Sequence, residues 1–143
     1  MILRLGTIYG FSPGIRFHTA VNKFCLQASM NQPLTVWKTA LNQKRPYLSL
    51  KDLNKAIRLI IAKKIFDGEI YNILSMNATV KDIIDSISKF KKIKYQFVNN
   101  KIMNQLSYEV SSKKINKKGI KLKSNFNKEI EKTIKKLSNI NNF

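Results

Sequence analysis

Lys44-Arg45-Pro46-Tyr47-Leu48-Ser49-Leu50-Lys51-Asp52, followed through Leu53, Ala56, Ile57, Ile60 and Ile61 to Asp67-Gly68-Glu69-Ile70-Tyr71-Asn72-Ile73, is the stretch that decides the fold. Tyr47 to Leu50 alternates between two faces, as a strand with one buried side does. After Asp52 the apolar residues recur at spacings of three and four. That stripe predicts an amphipathic helix up to about Lys64, with Asp52 as the cap that accepts from first-turn backbone N–H groups. Asp67-Gly68 then turns the chain into a second strand, Glu69 to Ile73. Strand, helix and strand in succession indicate the α/β class.

The alternation continues outward in both directions. Ile2-Leu3-Arg4-Leu5-Gly6 predicts a strand opening into the loop Tyr9-Gly10-Phe11-Ser12-Pro13-Gly14. From Ile15, the residues Phe17, Ala20, Val21, Phe24, Cys25 and Ala28 predict a helix ending near Met30-Asn31, which Pro33 prevents from continuing. Leu34-Thr35-Val36-Trp37 reads as a short strand. Thr79 opens a further helix with Val80, Ile83, Ile84 and Ile87 inward, and Lys94 to Val98 is another strand. Ser111 or Ser112 caps a short helix that Gly119 stops, and Asn125 to Leu137 forms the last one. No internal repeat and no Ser- or Pro-rich linker interrupts residues 1–143, so a single region without an internal boundary is expected.

Composition narrows the function classes. The chain has 143 residues, 43% of them hydrophobic, enough to fill a core. Cys25 is the single cysteine, which leaves no disulfide framework and no cysteine zinc site, and points to a reducing compartment. No apolar run approaches the roughly 20 residues of a spanning helix, and Met1-Ile2-Leu3-Arg4-Leu5 is too short for a signal peptide, so a soluble cytoplasmic protein with no membrane partner is expected. There is no glycine-rich phosphate loop, no metal-ligand cluster and no nucleophile-base-acid set. His18 is the only histidine and lies apart from any carboxylate in sequence, which favours a packing or surface role.

Charge is the strongest bulk signal. Lys plus Arg number 27 against 8 Asp plus Glu, a formal +19. Fifteen lysines and three acids fall between Lys89 and Lys136. Lysine used freely on solvated faces accounts for much of this, since specific phosphate recognition more often uses the bidentate guanidinium of arginine. The alternative is a basic nucleic-acid-binding or scaffold protein, in which the lysines interleave with Phe90, Tyr95 and Phe97.

Four segments together carry a family resemblance. Leu3-Arg4-Leu5-Gly6-Thr7-Ile8-Tyr9-Gly10 resembles the strand and loop that extended short-chain dehydrogenases carry just after their cofactor-binding region. Lys44 to Asp52 is similar to their R-x-Y-hydrophobic-x-V-x-D signature, Gly68 to Ile73 to their G-x-x-Y-N-I-G strand, and Ser107-Tyr108-Glu109-Val110-Ser111-Ser112-Lys113-Lys114-Ile115 with Gly119 to their closing segment. The resemblance, in this order over nearly the whole chain, is to the C-terminal part of an NAD-dependent epimerase/dehydratase. UDP-glucose 4-epimerase and the nucleotide-sugar dehydratases belong to that family.

The resemblance implies a Rossmann-like α/β fold whose N-terminal strands are missing, and a nucleotide sugar, UDP- or dTDP-linked, as ligand. It gives Arg45 the place of the arginine that clasps the substrate diphosphate, with two parallel hydrogen bonds that a lysine cannot copy. Thr7 stands where many relatives have a sugar-contacting asparagine. Asn22 falls in the stretch that contacts base and ribose, Trp37 and Tyr47 stand where aromatics lie beside the base, and Lys101 takes the place of a second phosphate-binding arginine, ahead of Tyr108. Such enzymes bind NAD in an N-terminal Rossmann half. They move a proton with a Tyr-x-x-x-Lys pair one helical turn apart. Tyr47 with Lys51 is the single numerical match, and it spans a strand, where residues four apart do not meet. No catalytic residue and no NAD binding are therefore expected of this chain alone. An open strand edge for a separately encoded N-terminal partner is expected instead.

Overall fold

In the computed structural model, which describes residues 1–99 and 106–140, strand and helix alternate as the sequence predicts. The order is β1 (Ile2–Leu5), β2 (Thr7–Tyr9), α1 (Ala20–Ser29), β3 (Leu34–Trp37), β4 (Lys44–Ser49), α2 (Leu50–Ala62), β5 (Ile70–Ile73), β6 (Met76–Thr79), α3 (Val80–Ser88), β7 (Tyr95–Val98), α4 (Lys113–Lys117) and α5 (Phe126–Ile140). A single 3₁₀ turn, Lys38–Ala40, links β3 to β4.

The strands form three small sheets. β1 runs parallel to β5, with Ile2 opposite Ile70 and Leu5 opposite Ile73. β4 is central to the second sheet, parallel to β2 through Thr7 opposite Tyr47 and antiparallel to β6 through Arg45 opposite Ala78. β3 runs parallel to β7. Gly6 links β1 to β2 where the chain passes so close to β4 that a Cβ would lie 3.1 Å from the Pro46 carbonyl oxygen. The class is α/β, as expected.

Three local expectations are corrected. α1 begins at Ala20, not Ile15, because Thr19 is extended (φ −96°, ψ 145°) and residues 15–18 are irregular, with a turn at 17–18. Phe17 still packs on the core from that loop, so its spacing imitates a helix it does not join. The cap of α2 is Ser49, whose hydroxyl accepts from the Asp52 N–H at 3.0 Å, and Asp52 is instead a buried third helical residue. Two short strands, β2 and β6, stand where the sequence reading placed no strand. α3 behaves as predicted: Thr79 and Asp82 form a reciprocal capping box.

Two apolar clusters divide the interior. α1, α3 and α5 bury Val21, Phe24, Cys25, Ile83, Ile87, Ile130, Ile134 and Leu137 together with Leu34 and Val36 of β3. β5, α2 and the C-terminal segment bury Tyr71, Ile73, Ala56, Ile60, Ile115 and Ile120 around Leu48. Asp52 lies at the base of α2. Its carboxylate accepts from the Ser75 hydroxyl at 2.6 Å and the Ser124 N–H at 3.0 Å, and the Ser49 and Ser124 hydroxyls meet at 2.8 Å. These bonds satisfy a buried charge that would otherwise be costly, and they pin the approach to α5 against the start of α2.

Candidate functional site

Parallel pairing of β2 and β4 brings residues far apart in sequence to one cavity. Thr7, Trp37, Arg45 and Tyr47 line a space of about 250 Å³ together with Gln43, Ala40, Val80, His18, Thr19 and Ala20. Thr7 and Tyr47 are partners in the β2–β4 register, so their union follows from the ladder itself. Trp37 ends β3 and stays partly exposed, with its neighbours Phe24, Lys23 and Thr35 around an adjoining apolar recess of about 110 Å³. Gln27 holds Thr35 there from α1, its amide donating to the threonine hydroxyl at 3.1 Å and accepting from the Thr35 N–H at 3.2 Å.

Arg45 is half-buried at the mouth of this cavity and is held by the closing segment. Its guanidinium donates to the Leu106 carbonyl and to the Lys44 carbonyl at 3.1 Å, and it lies 4.8 Å from the centre of the Tyr108 ring. The segment is fastened alongside by the Tyr108 N–H to the Lys44 carbonyl at 3.2 Å and by the Lys44 N–H to the Ser107 hydroxyl at 2.9 Å. An ion pair between Lys44 and Glu109 adds to this, and Asn77 bonds both the N–H and the carbonyl of Val110 at 3.0 Å. A cation over an aromatic face with one edge bonded to carbonyls is oriented in advance, which lowers the entropy lost when an anion binds.

Tyr47 is 4% exposed and meets Tyr9 edge-on at 6.4 Å. Burial pushes its hydroxyl up to about 12, against the lowering effect of Arg45. Such a phenol stays protonated at neutral pH. That is opposite to the activated tyrosine of a Tyr-x-x-x-Lys pair, and Lys51 lines a different cavity altogether. Lys51 lies in the first turn of α2 and not on the strand of Tyr47, which corrects the placement expected from sequence.

Asn22 is buried and spends both ends on the chain itself. Its side-chain oxygen accepts from the Gly10 N–H at 3.1 Å, and its amide donates to the Arg16 carbonyl at 3.0 Å. It fixes the loop between β2 and α1, at a point where Gly10 takes φ 123°. That loop encloses a neighbouring cavity of about 520 Å³, lined by Gly6, Thr7, Ser12, Arg16, His18 and Thr19 among others. Lys101 lies outside the described residues.

His18 is exposed, in keeping with the surface role expected of it. Its side chain borders all three of these spaces, which its isolation from any carboxylate in sequence gave no reason to expect. Gln43 was missed, although its spacing of two from Arg45 is the signal that places both on one side of the chain near the start of β4. Among the described residues no group of His, Cys, Asp and Glu could hold a metal ion.

Residues 1–73 match the sequence model of the NAD dependent epimerase/dehydratase family. Over 75 residues the chain is 33% identical to the chloroplastic UDP-sulfoquinovose synthase of Spinacia oleracea, a stretch covering 51% of this chain and 15% of that enzyme. Among solved structures, a UDP-glucuronic acid 4-epimerase of Bacillus cereus, in complex with a fluorinated UDP-sugar and NAD, matches with a TM-score of 0.82 at 21% identity, covering 97% of this chain and 45% of that one. The UDP-glucose 4-epimerase of Thermus thermophilus, in complex with NAD, matches with a TM-score of 0.72 at 21% identity, covering 94% and 45%. The chain therefore spans less than half the length of these solved relatives and shares their α/β, Rossmann-like fold over nearly its whole extent.

Proposed function

The chain belongs to the NAD-dependent epimerase/dehydratase family, and from that premise we propose that it is the C-terminal, nucleotide-sugar-binding part of such an enzyme, with Arg45 as the diphosphate clasp. The observation that carries the reading is the convergence of Arg45, Thr7, Trp37 and Tyr47 on one cavity, with a further apolar recess beside Trp37. In this reading the guanidinium exchanges its carbonyl partners for phosphate oxygens, while Tyr108 keeps it in plane. Trp37 covers the base, a UDP or dTDP pyrimidine, and Thr7 offers its hydroxyl to the sugar side.

The chain's own residues do not fit NAD. A dinucleotide site needs closely spaced glycines at a strand-to-helix turn, and Gly6, Gly10, Gly14, Gly68 and Gly119 never stand two apart. No hydride or proton step is derived from these residues. The redox half of the reading lies in an N-terminal Rossmann region, in the same protein or separately encoded. The unpaired edge of β1, with Ile2 and Leu5 exposed on it, supports a docking place for it. No helix among the described residues is long and apolar enough to cross a membrane, and a cytoplasmic location forms part of the proposal. The likeness to sugar epimerases lends no support to the polynucleotide-binding alternative.

Calorimetric titration with UDP-glucose and dTDP-glucose tests the reading. Saturable binding to at least one is expected. Arg45→Lys and Arg45→Ala should weaken it about 10- to 100-fold, the worth of one charge-assisted bidentate contact, with the circular dichroism spectrum unchanged. No turnover by this chain with added NAD is expected. Absence of binding to either nucleotide sugar, or full affinity in Arg45→Ala, overturns it.

A further inference from the structure

The loop at Gly10 also borders a second cavity, of about 340 Å³, enclosed by the first turn of α2, the middle of α5 and Phe11. Lys51 reaches it from α2 and Lys132 and Lys136 reach it from α5, with the Asn54 amide beside them and Glu129 as the one carboxylate in the lining. The charge is unbalanced. Lys44, Lys114, Lys118 and Lys135 are each matched to an acid, whereas among the described residues none of these three lysines lies in an ion pair. Lys132 and Lys136 stand four apart on one helix, a spacing at which like charges repel. All three are exposed, and the Lys136 ammonium lies 5.0 Å from the centre of the Phe11 ring.

A concave space lined by three lysines and one carboxylate carries a net positive field that a compact anion relieves. Lysine neutralises a phosphate as a point charge, without the two-bond geometry that arginine supplies. Asn54 adds an uncharged donor from α2. The volume admits a phosphate with a small organic remainder and falls at the low end of the roughly 300–1,000 Å³ typical of ligand sites.

We propose that this α2–α5 cavity binds a phosphate dianion, free or as the monoester of a small metabolite, at a site separate from the Arg45 cavity. Gly10 and Leu50 line both this space and the 520 Å³ cavity of the candidate site, so the bound anion lies against the loop that shapes that site.

The test is ¹H–¹⁵N NMR titration of the full chain with inorganic phosphate and, separately, glucose 6-phosphate, at ionic strength held constant with sodium chloride. Saturable shifts at Phe11 and Asn54 are expected. The double variant K132A/K136A should weaken binding at least tenfold, while K117A/K121A, which removes the same charge elsewhere, leaves it unchanged. Glu129→Gln should tighten it severalfold. Tighter binding of glucose 6-phosphate than of phosphate assigns the monoester; equal binding assigns the free ion. Non-saturable shifts, or equal weakening in both double variants, mean diffuse attraction to a basic surface and overturn the proposal.

Discussion

α5 lays Ile130, Ile134 and Leu137 against α1 and α3, and none of the three is more than 6% exposed; α2 buries Ala56 and Ile60 but leaves Ile57 42% and Ile61 60% exposed. Both helices are strongly amphipathic, so the difference lies in the cover rather than in the helices. Around α5 the chain supplies that cover itself. Around α2 and the β1–β5 pair it does not, and Ile2, Leu5 and Ile70 join Ile57 and Ile61 among the exposed apolar residues. Parallel strands are normally covered on both faces, and apolar surface of this kind marks a place for a partner. The comparison teaches that the apolar stripe of α5 is covered by the chain's own packing, while that of α2, beside the β1–β5 pair, stays partly in water.

That contrast can be broken by mutation. The largest effect is expected at Ile130, where Ile130→Ala empties a fully buried site and should cost about 2–5 kcal/mol in denaturant unfolding. Ile61→Glu on α2 should change stability by less than about 0.5 kcal/mol, because a charge there stays in water. It should also lower self-association in light scattering. A loss at Ile61 equal to that at Ile130 would mean that the chain covers α2 in some way the structure lacks.

The smallest effect concerns the seam that fastens α4 to β5. There the Tyr71 hydroxyl donates to Asp67 at 2.6 Å, Lys118 lies 3.1 Å from the same oxygen, and Lys114 pairs with Glu69 at 2.7 Å. The Tyr71 bond, with Lys118 behind it, holds the Asp67 carboxyl down at about 2, below its ordinary value of 3.8. A depressed carboxylate stabilises the fold above its unfolded value and loses that contribution as pH falls through the folded one. Thermal midpoints should therefore drop between about pH 4 and pH 2, and Asp67→Asn should flatten that drop. Parallel pH profiles for the two proteins would assign the seam no role in acid stability.

Much of the fold was legible because periodicity is a local property. Leu34–Trp37 was read to the residue, and the stripes of α3 and α5 named residues that are buried, whereas of the α2 stripe Ala56 and Ile60 are buried and Ile57 and Ile61 stay exposed. The failures have local causes too. The spacing of Phe17 to Ala20 and Val21 fits a helix, yet Asn22 bonds to Gly10 and Arg16 hold the stretch before Ala20 as a loop. Asp52 is an acceptable cap by type, but Ser49 reaches the helix first and the carboxylate is drawn to Ser75 and Ser124, partners distant in sequence. His18 showed nothing in sequence because its neighbours in the cavity lie on other elements.

By itself the sequence determined the α/β class, the basic character, the lack of a glycine fingerprint and the candidate arginine. The tertiary structure alone decided that Thr7 and Tyr47 are ladder partners lining one cavity with Arg45, that Arg45 lies against the Tyr108 ring, and that Lys51, Lys132 and Lys136 line another cavity. The reason is physical. A periodic pattern tells which face of a segment avoids water, whereas the registers that join segments are set by hydrogen-bonded ladders and packing between residues far apart in the chain.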